Sequence, residues 1–249
     1  MRKGFTRDEL DGVFNQIGDS VAHSVDVFLL GGGAMAFRNQ KNATKDLDLV
    51  FKNLEDFRVF VAAISKLGFE EPAKPESAYA DMGASAIYQN SDGFRMDLFI
   101  RVVCGGISLS EGMVSRSELL ANYGNLAVKM VSNEDVVLFK GITSRLDDVN
   151  DIAAIIRTSN IDWDIIMQEC ASQSETKSWY GALFNKLEEL EEFHNISSPI
   201  RDKLELLYEK TLLKHAYDLR KMKGLNHEDI VKELVKMGYN KEEIEESIR

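Results

Sequence analysis

The spacing of apolar residues changes along the chain, and each change predicts an element. Leu10, Val13, Phe14, Ile17 and Val21 recur at the three- and four-residue intervals of a helix with one apolar face. Thr6 and Glu9 form the T-x-x-E box that caps such a helix. VDVFLL (25–30) is a β-rich run of strand length that stops at Gly31-Gly32-Gly33, and AMAFRN predicts a short helix after it. DLDLVF (46–51) alternates with period two, so Leu47, Leu49 and Phe51 face one way and Asp46, Asp48 and Val50 the other. Asn53 predicts the N-cap of a helix running to Lys66, with Gly68 as its C-terminal stop. The stretch 71–83 holds two of the three prolines and predicts a loop. SAIYQN and FRMDLFI flank Ser91-Asp92-Gly93, and an Asp-Gly pair between two β-rich runs predicts a hairpin. On its second strand Arg95, Asp97 and Phe99 share a face. LAVKMV (126–131) predicts a further strand, Ser132 and Asp135 open a helix through about Ile142, and Asp147 to Arg157 forms another.

Beyond Ile161 the strand signal disappears. Segments 162–173, 178–193, 199–223, 227–237 and 241–248 read as helices, and Gly224 and Gly238 punctuate the last three. The expected fold class is therefore α/β (α+β): a mixed sheet flanked by helices over residues 1–157, then an all-helical region over 158–249.

Composition narrows the function classes. A chain of 249 residues with 44% hydrophobic residues suits a soluble globular protein of one large or two small domains. It has no apolar run of about 18 residues, so no membrane span is expected. MRKGFTRDELDG lacks the apolar core of a signal peptide. Cys104 and Cys170 stand far apart with no C-x-x-C spacing, which argues against a disulfide framework or a cysteine zinc site and makes a reducing cytoplasm the default. A net charge of -11 opposes sequence-independent binding to nucleic acid. Part of the acidic excess lies in LEELEEF and NKEEIEES, which read as solvated helix faces.

Three features of the first half carry chemistry: a glycine triplet between a strand and a helix, a D-x-D pair on the next strand, and a lone Asp97 in the apolar run FRMDLFI. Glycines let the backbone take positive φ and approach a phosphate, and the amides of a helix start favour that anion. D-x-D puts two carboxylates on one strand face, about 7 Å apart along it. Carboxylates so placed suit a hard cation, and a third from a neighbouring strand would complete a two-metal clamp for phosphoryl transfer. GGGAMA also fits the dinucleotide fingerprint at Gly31, Gly33 and Ala36. That fingerprint wants its acid at the far end of the second strand, whereas here a pair of acids opens it. The plainer alternative for Asp97 is an ion pair with Arg95 or another basic residue.

LLGGGAMAFRNQKNATKDLDLVF resembles the GG…D-x-D signature of the DNA-polymerase-β-like nucleotidyltransferase superfamily, in its minimal prokaryotic, AbiEii-toxin-like branch. FRMDLFI is similar to the strand that carries the third carboxylate. MVSNEDVVLFKGITSRLDDVNDIAAII resembles a downstream segment in which a helical Lys precedes R-x-x-D-x-x-D, here Lys140, Arg145, Asp148 and Asp151. The resemblance covers roughly 25–157. It implies transfer of a nucleoside monophosphate from an NTP to an acceptor hydroxyl with release of pyrophosphate. Asp46, Asp48 and Asp97 would be catalytic and would bind Mg²⁺, at a one- or two-metal site. Gly31, Gly32, Gly33, Lys45 and Lys140 would bind the nucleotide. Lys140 reads equally as a solvated helix residue, and Arg145, Asp148 and Asp151 as an ion-pair set on a helix surface. The chain departs from many superfamily members in having Gly33 where a Ser or Thr often stands. The acceptor is open among a small molecule, an RNA end and a protein hydroxyl. Other readings are a catalytically silent nucleotide-binding regulator and the toxin of a toxin–antitoxin pair, with an antitoxin or a second copy as partner. In 158–249 the histidines lack ligand spacing, and Trp163, Trp179, Tyr180 and Phe184 read as core.

Overall fold

The computed structural model describes residues 3–72, 85–103, 106–174 and 178–248. The predicted loop over 71–83 and Cys104 fall largely or wholly outside them, while Cys170 is a buried free thiol. The chain opens with α1 (Arg7–Ser20), β1 (Val25–Leu30), α2 (Gly31–Phe37), β2 (Asp46–Phe51) and α3 (Leu54–Lys66). There follow β3 (Ala86–Gln89), β4 (Arg95–Ile100), β5 (Val102–Val103), β6 (Ile107–Ser108), α4 (Glu111–Arg116), β7 (Glu118–Tyr123) and β8 (Leu126–Met130). Helices complete it: α5 (Asn133–Gly141), α6 (Asp148–Thr158), α7 (Trp163–Ser172), α8 (Tyr180–His194), α9 (Arg201–Met222), α10 (His227–Lys236) and α11 (Lys241–Ser247).

Local chemistry sets these ends. Thr6 and Glu9 make both bonds of the capping box on α1. Asn53 accepts from the Asp56 amide, Ser132 from Asp135, and Asn226 from Asp229, each satisfying an amide that the helix start leaves without an intrahelical partner. The hairpin at Asp92-Gly93 forms as predicted, with β3 and β4 antiparallel.

Six strands make one mixed sheet in the order β3-β4-β2-β1-β8-β7. The β2–β4 and β1–β8 pairs are parallel, and the rest antiparallel. One sheet face carries Leu29, Leu47, Leu49 and Phe51 into the core. Helix α2 lies on it, because a Cβ at Gly33 would meet Leu29 and Leu47. Helix α3 covers the other end, with Phe57 and Phe60 against the Phe51 ring. Phe14 of α1 packs on Phe37 of α2 and stacks on Tyr123 of β7. The opposite face presents Asp46, Asp48 and Asp97.

Residues 102–123, where β5, β6, α4 and β7 form, carry no clear pattern in the sequence. Two-residue strands give no period to detect, and β7 has an irregular register between Leu119 and Ala121 that disturbs its alternation. Beyond Thr158 the only secondary structure among the described residues is helical, and one core continues across that point. One apolar core runs from Phe5 through Trp179 and Leu190 to Leu204. A separate small core of Leu213, Tyr217, Ile230, Val231, Leu234 and Ile244 joins the last three helices. Among the described residues no helix is long and apolar enough to cross a membrane.

Two glycines of α1 should respond oppositely to the same substitution. A Cβ at Gly12 meets nothing within 4 Å, whereas at Gly18 it would lie 1.9 Å from the Tyr123 carbonyl oxygen. Gly12→Ala should raise stability by about 0.5–1 kcal/mol, the usual helix gain. Gly18→Ala should lower it by about 1 kcal/mol or more, because the clash is with backbone. Urea denaturation of both variants checks the opposite signs.

Candidate active site

Strand register assembles the acidic face. In the parallel β2–β4 pair Asp46 is opposite Arg95 and Asp48 opposite Asp97, so the four side chains share one side of the sheet. Adjacent strands are about 4.8 Å apart, which brings Asp48 and Asp97 within strong mutual repulsion. Asp46 and Asp48 are partly exposed, and Asp97 is buried at 1% exposure. The Asp48 carboxyl is pushed well above its ordinary range by burial first, then by the charges of Asp46 and Asp97. The positive charges of Lys140 and Arg145 act on it in the opposite sense.

The glycine triplet abuts this face. On β1, Leu30 is the register partner of Asp48, and α2 starts at the next residue. Gly31 takes φ +61, and a Cβ there would come 2.2 Å from Asp48 Oδ2. The position therefore requires glycine twice over, for its backbone and for the carboxylate pressed against it. Gly32 and Gly33 are likewise buried, against the Thr44 hydroxyl and against Leu29 and Leu47. Close packing around the acid strand is thus one reason for all three.

Asp97 does pair with Arg95, the plainer of the alternatives for it. Arg95 Nε donates to Oδ1 at 2.6 Å and Nη2 to Oδ2 at 3.1 Å, with both side chains buried. The pair nevertheless stands on the acidic face beside Asp48. The i, i+2 spacing that gives two residues one strand face was the available signal for this contact. Among the described residues no three His, Cys, Asp or Glu side chains converge as a ready-made metal cage.

Beside the sheet lies a second charged cluster. Lys140 Nζ donates to Asp148 Oδ1 at 2.7 Å and to Asp151 Oδ2 at 2.6 Å. Lys41 donates to both oxygens of Asp151 at 2.9 and 3.0 Å, and the Thr143 hydroxyl donates to Asp148. Arg145 Nε lies 3.9 Å from Asp148. Arg145, Asp148 and Asp151 do form an ion-pair set, with Arg145 exposed and Asp151 half-buried, but Asp148 is not on the surface: it is 2% exposed and its partner Lys140 8%. Lys140 is accordingly no solvated residue. Burial alone would lower its ammonium, but Asp148 and Asp151 outweigh that and hold it above its ordinary value. Burial alone would raise the Asp151 carboxyl, and Lys140 with Lys41 holds it below. Lys41 joins the cluster from the loop between α2 and β2, where no period in the sequence marks it. Lys45 is exposed, next to Asp46.

A further buried cluster fixes α5, which carries Lys140. Arg116 of α4 donates to Asp135 and to Glu169 of α7, 2.6 Å each, and Ser132 also donates to Asp135. The end of α2 is tied in through Arg38, which donates to the Val131 carbonyl at 2.7 Å.

The two candidate lysines should separate by experiment. Lys140→Met leaves the buried Asp148 without its closest cation and the half-buried Asp151 with Lys41 alone, and should cost about 3 kcal/mol of stability. Lys45→Met, at an exposed position, should stay within about 0.5 kcal/mol. Chemical denaturation at neutral pH checks both values.

No curated protein matches the chain. A family model described as a nucleotidyltransferase of unknown function (DUF6036) matches residues 8–195. That span holds the glycine triplet, all three acidic-face aspartates and both lysine-bound aspartates. By this match over well more than half its length, the chain belongs to the DUF6036 family of nucleotidyltransferases of unknown function.

Proposed function

We propose that the protein transfers a nucleoside monophosphate from an NTP to an acceptor hydroxyl, with Mg²⁺ as cofactor and pyrophosphate as leaving product. The observation that carries this reading is the strand register that sets Asp48 beside Asp97 and against Gly31. Such a constellation puts an excess of carboxylate charge next to a glycine turn whose backbone can approach phosphate.

The residues fit the ion. Mg²⁺ is commonly held by one or two protein carboxylates, with waters and substrate phosphates completing its shell. The lack of a three-donor cage among the described residues is therefore no obstacle. Asp46 and Asp48 are the partly exposed pair that would hold it, and the repulsion on Asp48 is the kind that a divalent cation relieves. When bound, the ion would neutralise phosphate charge and orient the triphosphate.

The chain's own groups have the remaining work. The Gly31–Gly33 turn would receive the triphosphate through its backbone. Exposed Lys45 would contribute a mobile charge to the same anion. Lys140 would act at longer range, since two of its three donors are committed to Asp148 and Asp151. Asp97 would take part in activating the acceptor hydroxyl, or hold a second ion. The acceptor is a small molecule, an RNA end or a protein hydroxyl; the net charge of -11 weighs against extended nucleic acid.

Asp48→Asn tests the proposal. Removing a repelled, partly desolvated charge should leave stability unchanged or raised. Label transfer from each α-labelled NTP should fall about a thousandfold, the equivalent of several kcal/mol. Thermal stabilisation by Mg²⁺ with NTP should weaken in parallel. Unchanged transfer by the variant overturns the assignment. Stabilisation of the native protein without any pyrophosphate release would favour the regulator instead.

A further inference from the structure

Residues 38–45 join α2 to β2 and so connect the glycine turn to the first aspartate of the acidic face. Thr44 fixes the end of this loop. Phe5 and Thr44 exchange backbone hydrogen bonds at 2.7 and 3.0 Å, and the Thr44 hydroxyl donates to the Asp46 carbonyl at 3.0 Å. The upstream half is tied to α5, α6 and the residues that border them. Arg38 donates to the Val131 carbonyl at 2.7 Å. Gln40 Nε2 donates to Asn133 Oδ1 at 3.1 Å and to Ser159 Oγ at 2.9 Å. Lys41 Nζ donates to both oxygens of Asp151, at 2.9 and 3.0 Å. That last tie joins opposite charges, and Asp151 is also where the loop meets Lys140, which donates to its Oδ2 at 2.6 Å. A carboxylate held at both oxygens has its plane set, so Lys140 finds an acceptor of fixed orientation. Lys140 in turn is one of the cations that act on Asp48.

We infer that Lys41 is a positioning residue of the nucleotide site, acting through Asp151 to fix both the loop that delivers Lys45 and Asp46 and the carboxylate that seats Lys140. The inference rests on the nucleotidyltransferase reading and adds a residue to its site. Lys41 touches no substrate in this scheme. Its ion pair orders loop and lysine before nucleotide arrives, so the cost of ordering them does not fall on binding. Loss of the pair weakens nucleotide affinity, while the step that follows, once nucleotide is seated, proceeds as before. KM therefore rises and kcat holds. Two other roles for Lys41 predict different behaviour. A pair that only braces the fold would lower stability and leave affinity alone. An ammonium that itself binds phosphate would matter to affinity whether or not Asp151 is charged.

Equilibrium titration of the full chain with a fluorescent analogue of each NTP, in the presence of Mg²⁺, tests this without reference to activity. Lys41→Met should weaken binding about tenfold. Lys41→Arg keeps a cation that can grip both carboxylate oxygens and should bind within about threefold of the native protein. Asp151→Asn should also weaken binding, and adding Lys41→Met to it should change little further, because residues that act through one another are not additive. Where label transfer is followed, the loss should appear in KM, with kcat within about threefold. Lys41→Met that binds nucleotide as the native protein does overturns the inference. So does a further loss of about tenfold when Lys41→Met is added to Asp151→Asn, since the lysine would then act without the carboxylate. The native titration separates the two levels. If the native protein binds nucleotide, a failure at Lys41 removes only the role of Lys41; if the native protein binds none, the nucleotidyltransferase reading falls with it.

Discussion

Like charges crowd together on this sheet because the apolar side chains behind them leave no other register. Leu47 and Leu49 of β2, with Met96 and Leu98 of β4, are fully buried on the face opposite the carboxylates. A slip of one residue would turn Asp46 and Asp48 into that core and expose the leucines, since every side chain would change face. The energy of burying the back of the sheet thus fixes the acids at the front, one strand spacing apart. Burial and repulsion then act on Asp48 without any freedom to relax along the strand.

Everything around the acidic face answers that charge. Arg95 meets it within the sheet, through Asp97. Lys140 and Arg145 meet it from outside, at a distance. Their own positions depend on α5 and α6, which Lys140 links to one another through Asp148 and Asp151. Helix α5 in turn is held by Arg116, Asp135 and Glu169, a bridge between α4 and α7. The family match through residue 195 is consistent with this dependence: the helices after the sheet brace the cations that face it.

How much of this was legible in the chain depends on the range of the interaction. Alternation within 46–51 and 94–100 was enough to set Asp46 with Asp48 and Arg95 with Asp97 on their faces, because strand geometry is local. The capping residues Thr6, Asn53 and Ser132 were legible for the same reason. The parallel pairing of β2 with β4 was not, since it joins segments separated by α3 and residues beyond it. The spacing of Asp148 and Asp151 marks one side of a helix, but not that this side is buried on Lys140; only the packing of α6 on α5 decides that. Nor does composition reveal that the main core continues through α7 and α8, because helices that share a core and helices that stand apart have the same period.

Helix α9 has a further consequence. Its 22 residues extend about 33 Å, and it belongs to two cores at once: Leu204 near its start to the large one, Leu213 and Tyr217 to the small one. Six buried side chains are too few to hold three helices folded in isolation. The tail therefore depends for its order on this shared shaft. In hydrogen exchange α10 and α11 would open as an early-melting unit, while the amides of α9 around Leu207 and Tyr208, which pack on the large core, and the central strands stay protected.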